Sequence, residues 1–419
     1  MEPLLIAVCI AFSLMGCLVG FFTGLIPGIH VNTLAALMMI FYSVIELHLT
    51  GYIPAEYIPV AVCCIIMSAS VVHSFVDFVP SVYVGAPDGE DCLSILPGHR
   101  LLLKGEGMKA VRAAAIGSLI GCSAAILLAI PIQYIMLSGL SDRLDVITKY
   151  VLLAVIVILM MNEHRSGNLF WGMICLLLSG ALGYMVMELP IPSYGVFGSG
   201  TLLMPMLAGL FGIPVMLSST QDNPLPMQTD RVKDPTGFVP GLKGVLMGSV
   251  AGWFPGITST VGATVSATFM SEKSPERFIS TVASIGTVTT VLSLVTLSVS
   301  GGGRSGTVIV IGYILGDSIR GLMTSPFLMM LLSAAVASLV GYMLTIMAGK
   351  SLSGLLSRVS QKVMNRTVVV FMVILTFLTT GTWGLVILVI ATLIGFIPVV
   401  NGSNKTSLCG CLIMPVMLM

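Results

Sequence analysis

The chain has 419 residues, of which 56% are hydrophobic and only 9% charged, and its mean hydropathy is +1.04. Soluble domains carry about 25% charged residues, so this composition excludes an ordinary soluble enzyme, a disordered protein and a disulfide scaffold. Lysine and arginine number 19 against 18 aspartates and glutamates, which leaves no basic surface for nucleic acid. At about 20 apolar residues per crossing, the sequence predicts a multi-pass membrane protein with about 10–12 transmembrane segments.

The crossings are predicted to be α-helices, because the apolar residues form continuous runs and not the short alternating segments of a membrane β-barrel. The first run, 4–20, is interpreted as a membrane helix and not as a signal peptide, since no basic residue precedes it. Further crossings are predicted near 57–76, 113–138, 149–162, 168–188, 200–217, 279–297, 323–348, 367–380, 383–400 and 407–419. The expected fold is therefore an all-α polytopic integral membrane protein.

An internal repeat indicates the architecture. Gly24-Leu-Ile-Pro27-Gly28-Ile29 recurs 228 positions later as Gly252-Trp-Phe-Pro255-Gly256-Ile257. In each half, glycines also recur at every fourth position, at 16, 20, 24 and 28 and again at 244, 248, 252 and 256. Such a stripe lets another helix approach closely, and the proline then disfavours helix just before it. Interrupted helices at matched places in two halves are typical of a transporter binding site.

Charge placement predicts that the two halves have opposite orientations in the membrane. Segment 46–56 and the N-terminus contain no lysine or arginine, whereas basic residues flank the second Pro-Gly unit on both sides. By the positive-inside rule, the first unit opens from outside and the second from inside, and both chain termini lie outside. We therefore expect two inverted-topology repeats, 1–217 and 241–419, with broken helices or re-entrant hairpins, joined by a polar cytoplasmic linker, 218–240.

The candidate binding residues lie at the breaks. Helix ends there favour ions, and short polar side chains next to them either bind a ligand or cap the restarting helix. A second polar break, Gly301 to Gly306, contains Arg304, whose alternative role is to pair with Asp317. An arginine at membrane depth is expensive and usually functional. The predicted substrate-binding set is Pro27, Gly28, His30, Asn32, Thr33, Pro255, Gly256, Thr258, Ser259, Thr260, Gly302, Gly303, Arg304 and Ser305.

Three further residues are candidates for ion coupling. His73 and Asp77 lie four positions apart on one predicted helix face, where they either titrate near neutral pH or form a structural hydrogen bond. Asp88 lies in the acidic, glycine-rich segment that follows this helix, where aspartate is also common for turn reasons. The predicted coupling ion is Na+ or H+, and no other cofactor is expected.

Enzyme and metal signatures are poor. Gly301–Gly306 lacks the Lys-Ser/Thr that closes a phosphate loop. Glu163-His164 lacks the second histidine of a metalloprotease helix, and Cys409-Gly-Cys411 has no further ligands nearby. The nine cysteines lie mostly in apolar runs, where cysteine behaves as a small hydrophobe. We therefore expect neither catalysis nor a metal site.

The duplicated Pro-Gly units and the segment from Gly85-Ala-Pro-Asp-Gly-Glu-Asp to Lys104-Gly-Glu-Gly107, followed by an alanine-rich helix, resemble the TctA-type permeases, the large membrane subunits of tripartite tricarboxylate transporters. This resemblance implies a cell-membrane permease that works with a small membrane subunit and an extracytoplasmic solute-binding protein. The sequence departs from the family at Gly301-Gly302-Gly303-Arg304 and at the acidic residues Asp88, Glu90 and Asp91.

Together these features predict a secondary-active transporter that moves a small organic anion, a carboxylate, by alternating access. The alternatives are an intramembrane enzyme, which would need one asymmetric catalytic cluster, and a membrane scaffold that transports nothing. A transporter instead needs a polar cavity between two related breaks.

Overall fold

A computed structural model of the chain describes residues 2–26, 31–83, 95–196, 198–199, 202–218, 226–229, 234–254, 259, 262–263, 265–266, 274–302, 305–356 and 361–418. Helices make up most of these residues, which confirms the predicted all-α class. A short antiparallel ribbon, β1 (Tyr194–Gly195) and β2 (Gly198–Ser199), pairs Tyr194 with Ser199.

The helices of the first half follow the predicted apolar runs with small shifts at their ends. They are α1 (Pro3–Leu25), α2 (Val31–Ile40), α3 (Tyr42–Leu49), α4 (Ile58–Val76), α5 (Phe78–Tyr83), α6 (Ile95–Leu103), α7 (Gly107–Ile135), α8 (Ser141–Arg165), α9 (Leu169–Glu188), α10 (Leu203–Leu207) and α11 (Ile213–Ser218). A π-helical turn, Met136–Leu140, joins α7 to α8, and a second one, Ala208–Gly212, joins α10 to α11.

The second half contains longer helices. They are α12 (Val239–Trp253), α13 (Pro275–Ser300), α14 (Gly306–Leu315), α15 (Ser325–Leu356), α16 (Gln361–Asn401) and α17 (Gly410–Leu418), with 3-10 turns at Gly316–Ile319 and Lys405–Cys409. Gly381 (φ 67°, ψ −154°) interrupts α16, which confirms the two arms predicted near 367–380 and 383–400. Helix α14 was not predicted as a separate element.

Seven helices of the described residues are long and apolar enough to cross a membrane. They are Pro3–Leu25, Ala55–Tyr83, Gly107–Leu140, Leu169–Glu188, Pro275–Ser300, Ser325–Gly354 and Asn365–Asn401. Three apolar helices are shorter, Leu203–Ser218, Gly306–Ile319 and Lys405–Leu418, and two of them cover the crossings predicted near 200–217 and 407–419. The total of 10–12 crossings stays a prediction.

The glycine stripes are helix contacts in both halves. Helix α1 packs on α4, where a Cβ added to Gly20 would lie 2.5 Å from the Ala69 carbonyl oxygen. Helix α12 packs on α13, where a Cβ added to Gly248 would lie 3.0 Å from the Ile285 carbonyl oxygen. Any larger side chain would therefore separate the helices. The contacted positions, 69 and 285, are 216 residues apart, so the two glycine pairs pack in one common register.

The two halves interleave through a second matched contact. Helix α7 of the first half crosses α13, where Gly117 packs against the backbone of Ser280. Helix α15 of the second half crosses α4, where the Ser333 hydroxyl donates to the Cys64 carbonyl at 2.9 Å. Gly117 and Ser333 are 216 positions apart, as are Cys64 and Ser280. Each glycine pair is thus covered by an equivalent helix from the other half.

The loops that charge placement assigns to one side of the membrane meet at one end of the helical bundle. Lys109 pairs with Glu276 at 3.3 Å, and the Thr229 amide in the linker donates to the Gly105 carbonyl at 2.8 Å. At loops assigned to the opposite side, the Gln133 amide donates to the Gly321 carbonyl at 2.9 Å. The contacts agree with the predicted grouping, whereas the orientation and the inversion of the halves stay predictions.

Candidate functional site

Both glycine helices end where the sequence predicts a break. The backbone becomes extended at Ile26 (φ −99°, ψ 102°) in the first half and at Phe254 (φ −80°, ψ 126°) in the second, 228 positions later. The ends of α1 and α12 therefore confirm the positions of the predicted breaks. Ten predicted site residues lie outside the described residues: Pro27, Gly28, His30, Asp88, Pro255, Gly256, Thr258, Thr260, Gly303 and Arg304.

The restarting helix of the first break meets the polar break of the second half. Helix α2 begins at Val31 and packs on the N-terminus of α14. The Asn32 side-chain oxygen accepts a hydrogen bond from the Thr307 amide at 3.0 Å, so Asn32 supplies an acceptor to the first turn of a helix 275 residues away. The structure thus brings the predicted residues Asn32 and Ser305 together. Thr33 lies in α2, and its side chain is outside the described part.

Ser305 is the N-cap of α14. Its hydroxyl accepts from the Val308 amide at 3.4 Å and lies 3.0 Å from the Thr307 hydroxyl. A serine N-cap satisfies one of the amides that a helix start leaves without an intrahelical partner. The capping role weighed for such residues therefore applies to Ser305, and the start of α14 carries two hydroxyls beside the Arg304 position.

The other end of this polar break is also defined. Gly301 ends α13 with φ 74°, a conformation that glycine adopts without steric cost. The Gly302 amide donates to the Ser300 hydroxyl at 3.2 Å. Asp317, the alternative partner considered for Arg304, pairs instead with Arg320 at 3.3 Å, and the Arg320 guanidinium lies against Gly301. Asp317 therefore already has a cationic partner.

The predicted ion-coupling pair lies next to the first break. His73 and Asp77 are both buried, with 4% and 6% of their surfaces exposed, and the Asp77 amide donates to the His73 carbonyl at 3.0 Å. The His73 Nδ1 atom lies 3.1 Å from the Thr23 hydroxyl of α1. Gly24, next in the chain, packs against this same turn of α4. A titratable pair is thus held two turns or less from the end of α1.

The second half has neutral residues at the equivalent positions. In the register of 216 residues, His73 corresponds to Thr289 and Asp77 to Ser293. The Thr289 hydroxyl donates to the Ile285 carbonyl of its own helix at 2.8 Å. The two related helix pairs therefore differ in chemistry, and the ionisable groups belong to the first half.

Equivalent residues of the two halves touch each other at the centre. The Ser74 and Thr290 hydroxyl oxygens, 216 positions apart in the chain, lie 3.4 Å from each other. The Cys122 thiol lies next to the Ser338 hydroxyl, and these residues are also 216 positions apart. Equivalent residues contact each other only near a local two-fold axis, so the two contacts mark where such an axis would pass.

Sequence reasoning missed Thr23, Ser74, Thr290 and Thr307, which line these contacts. Serine and threonine are common in membrane helices, and their positions alone carry no distinctive signal. The register of 216 residues was the available signal, because it aligns Ser68 with Ser284 as well as Ser74 with Thr290. Ser259, from the predicted set, is fully buried in a helical turn.

The comparisons with known proteins agree with this arrangement of broken helices. Residues 10–410 match the family described as the tripartite tricarboxylate transporter TctA family. An uncharacterized protein of Methanocaldococcus jannaschii is 25% identical over 423 residues, and the match covers 97% of this chain and 98% of that protein. No solved structure matches the chain.

Proposed function

Because the chain belongs to the tripartite tricarboxylate transporter TctA family, it is a multi-pass cell-membrane component of a transporter, and we propose that it is the permease that carries a small organic anion by alternating access. The family is a transporter component and not an enzyme family. Its name also implies partner subunits and a substrate-binding protein. The anion, the ion coupling and the transport cycle are the finer parts of the proposal.

The observation that carries alternating access is the contact between Ser74 and Thr290. It places two related helix pairs on either side of one central contact. Transporters built from two related repeats move one repeat against the other around a fixed site near the middle of the membrane. A contact through two small hydroxyl side chains, about 1 kcal/mol if it is a hydrogen bond, is weak enough to open and close in each cycle.

The start of α14 is the proposed contact for the anion. Backbone amides at a helix N-terminus and its dipole favour negative charge by about 0.3–1 kcal/mol at exposed sites and up to ~2 when partly buried. Selection of a carboxylate over a neutral solute by 100-fold requires roughly 2.7 kcal/mol, so the helix end needs a charged assistant. Arg304, next to the Ser305 cap, supplies it through bidentate bonds. Asn32 would fix the orientation of this helix end.

His73 and Asp77 are the proposed coupling residues. They are ionisable, buried and adjacent to the end of α1, whereas Thr289 and Ser293 replace them in the second half. Ionisable groups at membrane depth are expensive and mark ion or proton pathways. Coupling through one half only would make the outward and inward states inequivalent, as net transport against a gradient requires. Asp88 is proposed as a third member of this path, and the coupling ion as Na+ or H+.

The partners proposed for this chain are a small membrane subunit and an extracytoplasmic solute-binding protein. The binding protein would deliver the anion to the side on which the first break opens. Co-purification of the chain with the products of neighbouring genes checks this proposal, and a chain that transports alone at full rate would contradict it.

A transport screen tests the proposed function. The purified chain, with and without partner subunits, is placed in proteoliposomes and supplied with radiolabelled carboxylates under separately imposed sodium and proton gradients. We expect accumulation of at least one di- or tricarboxylate under one gradient, and exposed Glu188→Gln is the control that keeps it. Uptake only of neutral solutes, or no uptake in any combination of subunits and gradients, would contradict the proposal.

A further inference from the structure

A buried carboxylate lies far from the two breaks, at the end of α8. Glu163 is fully buried, and its Oε1 atom accepts from the Asn404 amide at 2.9 Å and from the Ser407 hydroxyl at 2.7 Å. The side chain lies against Gly172, where an added Cβ would be 2.5 Å from Glu163 Cγ. The carboxylate is therefore held in one position between α8, α9 and the segment that precedes α17.

The second oxygen of this carboxylate faces another buried oxygen-rich region. Among the residues that the structure describes, none hydrogen-bonds Glu163 Oε2 or the Ser403 hydroxyl, although both atoms are buried. The Cys175 thiol lies beside both groups. Within the described part of the chain, no lysine, arginine or histidine forms an ion pair with Glu163. A buried carboxylate without a counter-charge is costly, so this pair of oxygens calls for a cation.

The backbone beside these oxygens is unwound. Helix α16 ends at Asn401, Gly402 has φ 71°, and a new helical turn begins at Lys405. The Gly402 carbonyl accepts from the Asn168 side-chain amide at 3.1 Å. Helix interruptions of this kind place free carbonyl groups and helix C-terminal ends where they coordinate Na+ in transporters.

We propose that Glu163 Oε2 and the Ser403 hydroxyl, with carbonyl oxygen from the 402–404 interruption, bind one Na+ ion. Carboxylate, hydroxyl and carbonyl oxygens are hard ligands that suit hard cations. One carboxylate balances a monovalent ion, and within the described residues no group of three His, Cys, Asp or Glu side chains exists that would hold a multivalent one. The Na+ site would hold α8 and α9 against the α16–α17 interruption, whatever the substrate is.

A purely structural role for Glu163 makes different predictions. A cap for the turn at 404–407 needs only Oε1, and a glutamine at position 163 retains that acceptor. Ser403 takes no part in such a cap. Loss of an ion response in Glu163→Gln or Ser403→Ala, with the fold retained, therefore separates ion binding from capping.

The experiment measures 22Na+ binding to the purified full chain in detergent, with thermal unfolding in NaCl, KCl and choline chloride at one ionic strength. We expect saturable 22Na+ binding and an unfolding midpoint that rises with Na+ and not with K+ or choline. Glu163→Gln should abolish the Glu163-dependent component, Ser403→Ala should raise its half-saturating Na+ concentration about tenfold, and exposed Glu188→Gln should behave as wild type.

Two results would overturn the Na+ site. The first is Na+ binding that is absent, or that is the same in wild type, Glu163→Gln and Ser403→Ala. The second is a midpoint that depends on pH in Na+-free buffer, loses this dependence in Glu163→Gln and never responds to Na+, since the carboxylate would then take up a proton. Failure of carboxylate transport would leave the binding result unaffected.

Discussion

A disulfide between Ser74→Cys and Thr290→Cys should form readily and stop transport. The two hydroxyl oxygens are 3.4 Å apart and a disulfide bond is about 2.0 Å long, so the sulfur atoms need to approach by roughly 1.4 Å, which a small rotamer change supplies. Each single substitution removes at most one hydroxyl contact of about 1 kcal/mol, and the single variants should therefore insert and transport. Only the pair locks the central contact.

The cross-link is detected with a protease site inserted in the linker 218–240. After cleavage, oxidised double variant should run as one band on a non-reducing gel, while reduced protein and both single variants run as two fragments. The eight cysteines in the described part that are free and buried, among them Cys63 and Cys64, give the background, which the single variants measure. Reductant should restore anion uptake in proteoliposomes to the uncleaved level.

Two outcomes would refute this reasoning. If the oxidised double variant does not cross-link, Ser74 and Thr290 do not face each other and the proposed axis is wrong. If it cross-links fully and still transports at the wild-type rate, the central contact does not open during the cycle, and alternating access between these helix pairs is wrong.

Three further predictions concern the helix contacts and the anion site. Gly244→Val should lower the thermal unfolding midpoint, because an added Cβ lies 2.6 Å from the Thr281 carbonyl oxygen and overpacking costs about 1–3 kcal/mol; Gly354→Val, which meets nothing within 4 Å, is the matched control. Asn32→Ala should destabilise by about 1 kcal/mol through the lost acceptor for α14, and Asn32→Asp should retain most of the stability in the same unfolding assay. Arg304→Gln should weaken carboxylate binding at least tenfold, measured by equilibrium binding, while the variant inserts normally.

Each of these predictions has an outcome that contradicts it. Equal midpoints for the two glycine variants would show that the stripe of α12 is not a packing surface. An Asn32→Asp variant as unstable as Asn32→Ala would remove the hydrogen bond from the explanation. Normal anion binding by Arg304→Gln would make the arginine structural.

Local sequence was sufficient for the helices and their ends. Glycines at every fourth position face one side of a helix whatever surrounds it, and Pro27 and Pro255 disfavour helix before them, so the ends at Ile26 and Phe254 follow from local rules. The interruption of α16 was predicted as a gap between two apolar runs and lies at Gly381. In both cases a backbone preference within a few residues decides the outcome.

Glu163 shows where such reasoning stops. In the sequence it is one acid beside a histidine, and it matched no enzyme signature. Its burial and its contacts with Asn404 and Ser407 depend on a segment 241–244 residues away. Neither charge nor periodicity around position 163 indicates that this segment would enclose the carboxylate.

The sequence by itself determined that this is a helical membrane protein with two matched breaks, because composition and backbone preference act residue by residue. Tertiary structure alone decided which helix each glycine stripe meets, that Asn32 serves the start of α14, and that Ser74 faces Thr290. The repeat of the glycine helices has an offset of 228 residues, whereas the helices that they contact repeat at 216. Registers between distant helices depend on how all side chains fit together, and that fit is settled only when the chain is packed.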